Sequence, residues 1–319
     1  MNLSVNIKAC RFIFTIVPRE PLILPSYKGS TFRGAFGNVF KRIVCATRKN
    51  DCSECLLKDK CIYSYVFETL PPSDTRIMRK YKAAPHPFVI EPPLEKRTGY
   101  TPEHEINFNL VLIGRAMEYL PYFIYAFEEI GEIGIGKGRG KYSLKTVKAL
   151  TNDKLPYSII YDSNSKTIKS FECSPQIISF PDCQVSDNKH LSLTFLTPMR
   201  ISYNNALTAN PEFHILVRNL LRRLSLIAYF HCDVDMTQWD FRGIIEMAKE
   251  VRVKQNSLRW FDWERYSARQ DTRMKLGGFI GDIIFEGNIN PFMSLIRVGE
   301  LIHVGKGTTF GLGKYEVRG

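Results

Sequence analysis

The sequence predicts an α+β protein made of two tandem copies of a split βαβ unit, each an antiparallel four-stranded sheet with both helices on one face. Three observations lead there. The first is an internal repeat: Gly131-Glu132, Gly136-Lys137-Gly138 and Gly140-Lys141-Tyr142 recur in the same order as Gly299-Glu300, Gly305-Lys306-Gly307 and Gly313-Lys314-Tyr315. Such self-similarity marks a duplicated unit. The second is that each copy follows an apolar stretch opening on proline, Pro121-Tyr-Phe-Ile-Tyr-Ala-Phe127 and Pro291-Phe-Met-Ser-Leu-Ile296, as expected of a helix whose first turn tolerates a missing N–H. The third is that each half begins with an alternating apolar segment and continues into a helical one.

In chain order, Leu3, Val5 and Ile7 open the first half as a strand, and Phe32, Phe36, Val39, Phe40 and Ile43 then recur at helical spacing over about 29 to 45. Ile106, Phe108, Leu110 and Leu112 alternate as a second strand before the proline-led helix near 117 to 130. In the second half Leu191, Leu193 and Phe195 form the opening strand, and Phe213, Leu216, Val217, Leu220, Leu221 and Leu224 form a helical stripe. Phe279, Ile283 and Phe285 precede the helix near 291 to 299. The expected division is therefore 1–150, a connector at 151–188, and 189–319. The connector is rich in turn formers (Asn152-Asp153, Pro156, Asp162 to Ser165, Pro175, Pro181-Asp182) but keeps the strand-like Tyr157 to Tyr161, which reads as a hairpin extension.

The 319 residues are 44% apolar and 24% charged, the proportions of a folded globular chain, which argues against disordered and fibrous classes. No apolar run approaches the roughly 18 residues that span a bilayer, and Lys8 and Arg11 interrupt the N-terminal one. A cytoplasmic protein with no membrane partner is expected. Its net charge of +12 favours polyanions, with nucleic acid as the first partner to consider.

Cys45, Cys52, Cys55 and Cys61 have the spacing C-x6-C-x2-C-x5-C, a cysteine-rich insertion in the first unit. Four thiols this close can converge around one soft metal ion; zinc with a structural role is expected, an iron–sulfur cluster or unligated or disulfide-linked thiols being the alternatives. A site closed by four cysteines leaves no position for catalysis. Cys10, Cys173, Cys183 and Cys232 are scattered and read as small buried apolar residues.

The segment Gly305-Lys-Gly-Thr-Thr-Phe-Gly-Leu-Gly313 lacks the Lys-Ser/Thr ending of a nucleotide-binding P-loop. It offers backbone N–H groups, the Thr308 and Thr309 hydroxyls and the Lys306 ammonium to a phosphodiester backbone; the plainer reading is a glycine-rich turn. The whole stretch Gly299 to Tyr315 resembles the glycine-rich C-terminal signature of the CRISPR-associated endoribonucleases that process precursor CRISPR RNA. Arg33-Gly-Ala-Phe-Gly37, the cysteine cluster ending Cys61-Ile-Tyr, Pro85-His-Pro-Phe-Val-Ile-Glu-Pro-Pro93 and Leu221-Arg-Arg-Leu-Ser225 resemble recurrent blocks of one subgroup of that family.

The resemblance implies two ferredoxin-like, RNA-recognition-type domains and a metal-independent enzyme with no cofactor for catalysis. In such an enzyme the 2′-hydroxyl attacks the adjacent phosphate, so a proton handler and a cation are needed. The family often carries its histidine on the first helix; the helix at 29 to 45 has none. His303, two residues before Gly305, is the first candidate, with Lys306 as charge stabiliser, and Tyr27 with Lys28 as substitutes just before the first helix. Arg33, the helical stripe of His214, Arg218 and Arg222, the neighbouring Arg223, and the loop residues Gly305, Gly307, Thr308, Thr309, Gly311, Gly313 and Lys314 are the expected RNA contacts. His86, held between prolines, reads as a shape feature; His104, His190 and His231 have no supporting neighbours. The expected partner is CRISPR repeat RNA. The rival reading is a non-catalytic guide-RNA-binding subunit working among the subunits of a CRISPR effector complex.

Overall fold

The computed structural model describes residues 3–48, 51–71, 75, 83–150, 158–181, 189–267 and 272–318. Its main elements in chain order are strands β1 (Leu3–Ile7) and β2 (Ala9–Pro18), helix α1 (Gly29–Val44), strands β3 (Phe88–Glu91) and β4 (Ile106–Ile113), and helix α2 (Leu120–Ile133). These are followed by strands β5 (Tyr142–Ala149), β6 (Ser158–Asp162), β7 (Gln176–Phe180) and β8 (His190–Met199) and helices α3 (Phe213–His231) and α4 (Phe241–Ala248). Strands β9 (Arg252–Asn256), β10 (Arg259–Phe261) and β11 (Gly278–Glu286), helix α5 (Met293–Ile302) and strand β12 (Tyr315–Arg318) complete the fold. It is a mixed α+β architecture with several antiparallel sheets. Among the described residues no helix is long and apolar enough to cross a membrane.

Two compact units divide the chain: an inserted unit, Lys8–Ser174 with Phe230–Cys232, and a terminal unit, Met1–Ile7 with Pro175–Tyr229 and Asp233–Gly319. The inserted unit is built on a five-stranded antiparallel sheet in the order β3-β4-β2-β5-β6. Phe12, Phe14 and Ile16 alternate along β2 and are all fully buried, the pleat setting one face against the core. Phe32, Phe36, Val39 and Phe40 form the buried stripe of α1; Phe36 lies 4.8 Å from Phe123 of α2 and 4.8 Å from Phe40. The expected strand at 3–7 does not open this unit. Leu3–Ile7 pairs antiparallel with Gln176–Phe180 in the terminal unit, and β2 opens the inserted one. Within the expected connector, Ser158–Asp162 pairs with β5, while 151–157 and 182–188 lie outside the described residues.

The terminal unit carries the strand order β9-β11-β8-β12, with β10 also paired to β11. The predicted stripe of α3 is buried throughout, from Phe213 to Leu224. The repeat acquires a physical meaning in each unit. Tyr142 is fully buried and donates its hydroxyl to the Phe127 carbonyl of α2 at 2.7 Å; Tyr315 donates to the Ile296 carbonyl of α5 at 2.6 Å. The helix glycine of each Gly-Glu pair makes the space: a Cβ on Gly131 would strike Tyr142, and one on Gly299 would strike the Tyr315 hydroxyl and Leu220.

Cys10 and Cys173 are joined in a disulfide within the inserted unit, which corrects their reading as independent apolar residues. Cys232 is in no disulfide, and Cys183 lies outside the described residues.

Candidate functional site

In the terminal unit the glycine-rich loop follows α5. Gly305, Gly307, Gly311 and Gly313 all have positive φ, between 74 and 88°, and at Gly313 a Cβ would run into the Val304 carbonyl. This compact course uses much of the loop's own backbone. The N–H groups of Lys306, Phe310, Gly311 and Gly313 go to the carbonyls of Arg200, Gly307, Thr308 and Pro198, and that of Lys314 goes to Thr197 Oγ1 at 2.9 Å. Thr308 and Thr309 are buried. The expected phosphate cradle is therefore corrected at Gly311, Gly313, Thr308 and Thr309: these residues shape the loop, and Lys306, which is exposed, is the cation it presents. Gly305, Gly307 and Lys314 are half-buried around it.

His303 is fully buried, in the left-handed region at φ 59°. Its Nδ1 lies 3.0 Å from the Leu312 carbonyl, and because a carbonyl only accepts, Nδ1 carries a proton and donates. The ring braces the loop from within and has no access to an RNA strand, so its expected proton-handling role is replaced by a positioning one. Arg223 is likewise an internal brace: buried, it donates from Nε and Nη2 to the Ile302 carbonyl at 3.0 and 2.7 Å, and burial pulls its pKa down to about 9. Arg218 and Arg222 are exposed on α3 as the stripe predicted. His214, their neighbour in sequence, is 7% exposed, with Nδ1 3.4 Å from Glu212 and its ring against Tyr203.

In the inserted unit Lys28 is fully buried. Its Nζ donates to the Glu95 carbonyl at 2.8 Å and sits 5.7 Å from the Tyr100 ring centre, while burial lowers its pKa against the pull of Glu95. It is a structural cation, which corrects its assignment as an RNA contact. Burial, reinforced by Glu91, raises the Tyr27 phenol far above its ordinary value. Arg33 on α1 is half-buried with its guanidinium 4.1 Å from the centre of the Phe67 ring.

A residue set aside in the sequence, His86, is drawn into the same neighbourhood. Its ring is stacked with Phe67, centroids 6.1 Å apart, and its Nδ1 is 3.0 Å from Thr69 Oγ1. No sequence signal marks this arrangement, because Thr69 lies 17 residues away along the chain.

The four clustered cysteines are half-buried thiols outside any disulfide that line one small open cavity with Thr47, Lys58 and Ser64. The Thr47 hydroxyl lies 3.9 Å from Cys45 Sγ and 3.7 Å from Cys55 Sγ. Burial pushes the Cys52 thiol up, opposed by Lys41. Among the described residues no three His, Cys, Asp or Glu side chains are already grouped as ligands of one ion.

Residues 193–315 match the family model of the CRISPR-associated endoribonuclease Cas6, and residues 7–172 match AF_1859_N, an N-terminal domain. The second half of the chain thus carries a Cas6 domain, and the two matches support a CRISPR-associated RNA-processing family. An uncharacterized protein of Archaeoglobus fulgidus is 25% identical over 299 residues, 92% of this chain and 93% of that one. A Cas6 (TTHB231) product complex resembles it with a TM-score of 0.59 at 15% identity, covering 98% of this chain and 100% of the other. Thermus thermophilus Cas6 (TTHB231) itself gives 0.53 at 13%, covering 98% and 99%. A partial Cas6-RT-Cas1–Cas2 complex gives 0.55 at 12%, covering 99% of this chain and 46% of the other. At these identities the structural likeness is one of fold.

Proposed function

We propose that this protein is a metal-independent endoribonuclease that binds CRISPR repeat RNA and cuts precursor CRISPR RNA into guide RNAs by attack of a 2′-hydroxyl on the adjacent phosphate. The observation that carries the reading is the Cas6 match over 193–315, which runs through α5 and the whole glycine loop that holds Lys306 outward. Net charge of +12 supports a polyanionic partner. In each unit the order second-third-first-fourth strand, β3-β4-β2-β5 and β9-β11-β8-β12, supports tandem ferredoxin-like domains. The four half-buried thiols around one cavity support a structural zinc ion as part of this reading, held by Cys45, Cys52, Cys55 and Cys61; metal content per chain tests it.

Purified protein should cut its own repeat transcript once in EDTA, leaving a 5′-hydroxyl and a 2′,3′-cyclic or 3′-phosphate end. A single deoxynucleotide before the cut should abolish the reaction, since it deletes the nucleophile and keeps every phosphate. Tight binding without cleavage would instead support a guide-holding subunit.

A further inference from the structure

The internal repeat places a Gly-Lys-Gly segment in each unit, Gly136-Lys137-Gly138 after α2 and Gly305-Lys306-Gly307 after α5. The two are built alike. The N–H of Lys137 goes to the Ile23 carbonyl, in the chain that follows β2, and the N–H of Lys306 to the Arg200 carbonyl, in the chain that follows β8, each at 2.9 Å. The glycine before each lysine is required by that approach: a Cβ on Gly136 would lie 2.1 Å from the Ile23 oxygen, and one on Gly305 2.6 Å from the Arg200 oxygen. The glycines on both sides of each lysine have φ between 79 and 88°, a region that glycine enters readily. In both units the backbone is anchored in this way and the lysine side chain is exposed.

Beyond the shared segment the two loops diverge. The terminal one continues through the buried Thr308 and Thr309. The loop of the inserted unit turns back at once, the Arg139 N–H going to the Gly136 carbonyl at 3.3 Å and the Ile135 N–H to the Gly140 carbonyl at 3.0 Å. Lys137 and Arg139 therefore stand exposed at the tip of a tight turn, with Lys141, also exposed, at its base. Between the two tip residues Gly138 is exposed at φ 81°. Among the described residues nothing lies within 4 Å of where its Cβ would be, so the backbone there is open to close approach by a partner. The nearby carboxylates are engaged by the scaffold: Glu20 accepts the Lys141 N–H at 2.9 Å, and Glu132 meets Arg19 at 2.8 Å. Three exposed cations within five residues of a glycine turn match the regular negative charge of an RNA strand.

We propose that this loop of the inserted unit is a second RNA phosphate-binding site, in which Lys137, Arg139 and Lys141 hold a stretch of the repeat strand other than the one met by Lys306; the proposal rests on the RNA-processing reading above. The contact is electrostatic and independent of base sequence, so it adds affinity and fixes the course of the strand without reading it.

The test is the affinity of the repeat strand carrying the single deoxynucleotide before the cut, measured between about 50 and 200 mM salt. Lys137→Gln with Arg139→Gln removes two charges and leaves the backbone hydrogen bonds of the turn in place. Each phosphate contact steepens the logarithmic salt dependence by roughly 0.7–0.9, so the fall in affinity across that range should be roughly 10-fold smaller in the double variant than in wild type. An unrelated strand of the same length should lose affinity by the same factor. Lys137→Arg with Arg139→Lys should keep the wild-type slope. Neutral methylphosphonates placed one at a time along the repeat should include positions that weaken wild type and leave the double variant unchanged. A double variant with the affinity and slope of wild type overturns the proposal while the RNA-processing reading stands, and so does a loss confined to the cognate repeat. Wild-type protein with no affinity for the repeat strand overturns the reading itself.

Discussion

Replacing Gly299 by alanine sets two effects of opposite sign against each other. In a helix interior alanine is favoured over glycine by about 1 kcal/mol. The added methyl, however, would occupy the place of the Tyr315 hydroxyl and of a Leu220 methyl in a fully packed region. Overpacking of this kind costs about 1–3 kcal/mol, and displacing Tyr315 also loses its hydrogen bond to the Ile296 carbonyl at 2.6 Å. That bond contributes about 1 kcal/mol, at the lower end for a buried donor, because the carbonyl keeps its place in the ladder of α5. The sum is a net destabilisation of about 1–3 kcal/mol. Urea denaturation of Gly299→Ala, Tyr315→Phe and the double variant measures it. Tyr315→Phe alone should cost about 1 kcal/mol, and the double variant should cost less than the two singles added, since removing the hydroxyl frees part of the space the methyl needs. A Gly299→Ala protein as stable as wild type, or strictly additive singles, would refute the view that this glycine exists to admit the tyrosine.

Tyr27, Tyr65, Tyr100, Tyr142, Tyr161 and Tyr315 are all held protonated by burial above the ordinary value of 10.0. The unfolded chain releases these protons near that value and the folded chain keeps them, so stability should fall as pH rises above about 10, by up to about 1.4 kcal/mol per pH unit for each tyrosine; Tyr142→Phe and Tyr315→Phe should each make the fall shallower in pH-resolved denaturation. Affinity for repeat RNA should drop by roughly 10³ or more between about 50 and 200 mM salt if six or more phosphates are met, and Arg218→Ala with Arg222→Ala should reduce the slope; a flat salt response would refute phosphate-led binding. Protein prepared without chelator should carry about one zinc per chain, lost with stability in Cys52→Ser and with little effect on the cleavage step; metal far below one per chain would remove the structural ion.

The helical stripes of α1 and α3 and the alternation of β4 and β8 were legible because burial imposes a period that residue type alone reveals. The repeat was legible as a pattern, while its cause, a tyrosine reaching across a helix glycine, required the packing. Placement of polar groups escaped the sequence for a different reason. Lys28, Arg223 and His303 have side chains that suit solvent and RNA, yet each is buried on backbone carbonyls, and composition does not report which carbonyls a fold leaves for a side chain to satisfy. The contacts of His86 escaped the sequence because its partners Thr69 and Phe67 are distant along the chain and belong to no regular strand. The strand at 3–7 had the right period and the wrong partner, since alternation specifies a face and not the sheet it joins.

That strand also sets a schedule for synthesis. Leu3–Ile7 leaves the ribosome well before its partner strand, which begins at Gln176, and everything between Lys8 and Ser174 belongs to the inserted unit. At ordinary translation rates of about 5–20 residues per second the wait lasts on the order of 10–30 s. The inserted unit can complete its sheet in that interval, with Cys10 and Cys173 near its two ends brought to a Cα separation of 5.9 Å. The middle of the chain therefore folds before its beginning, and the nascent N-terminal strand passes that interval as an unpaired edge, the moment at which this protein is most exposed to pairing with a neighbour.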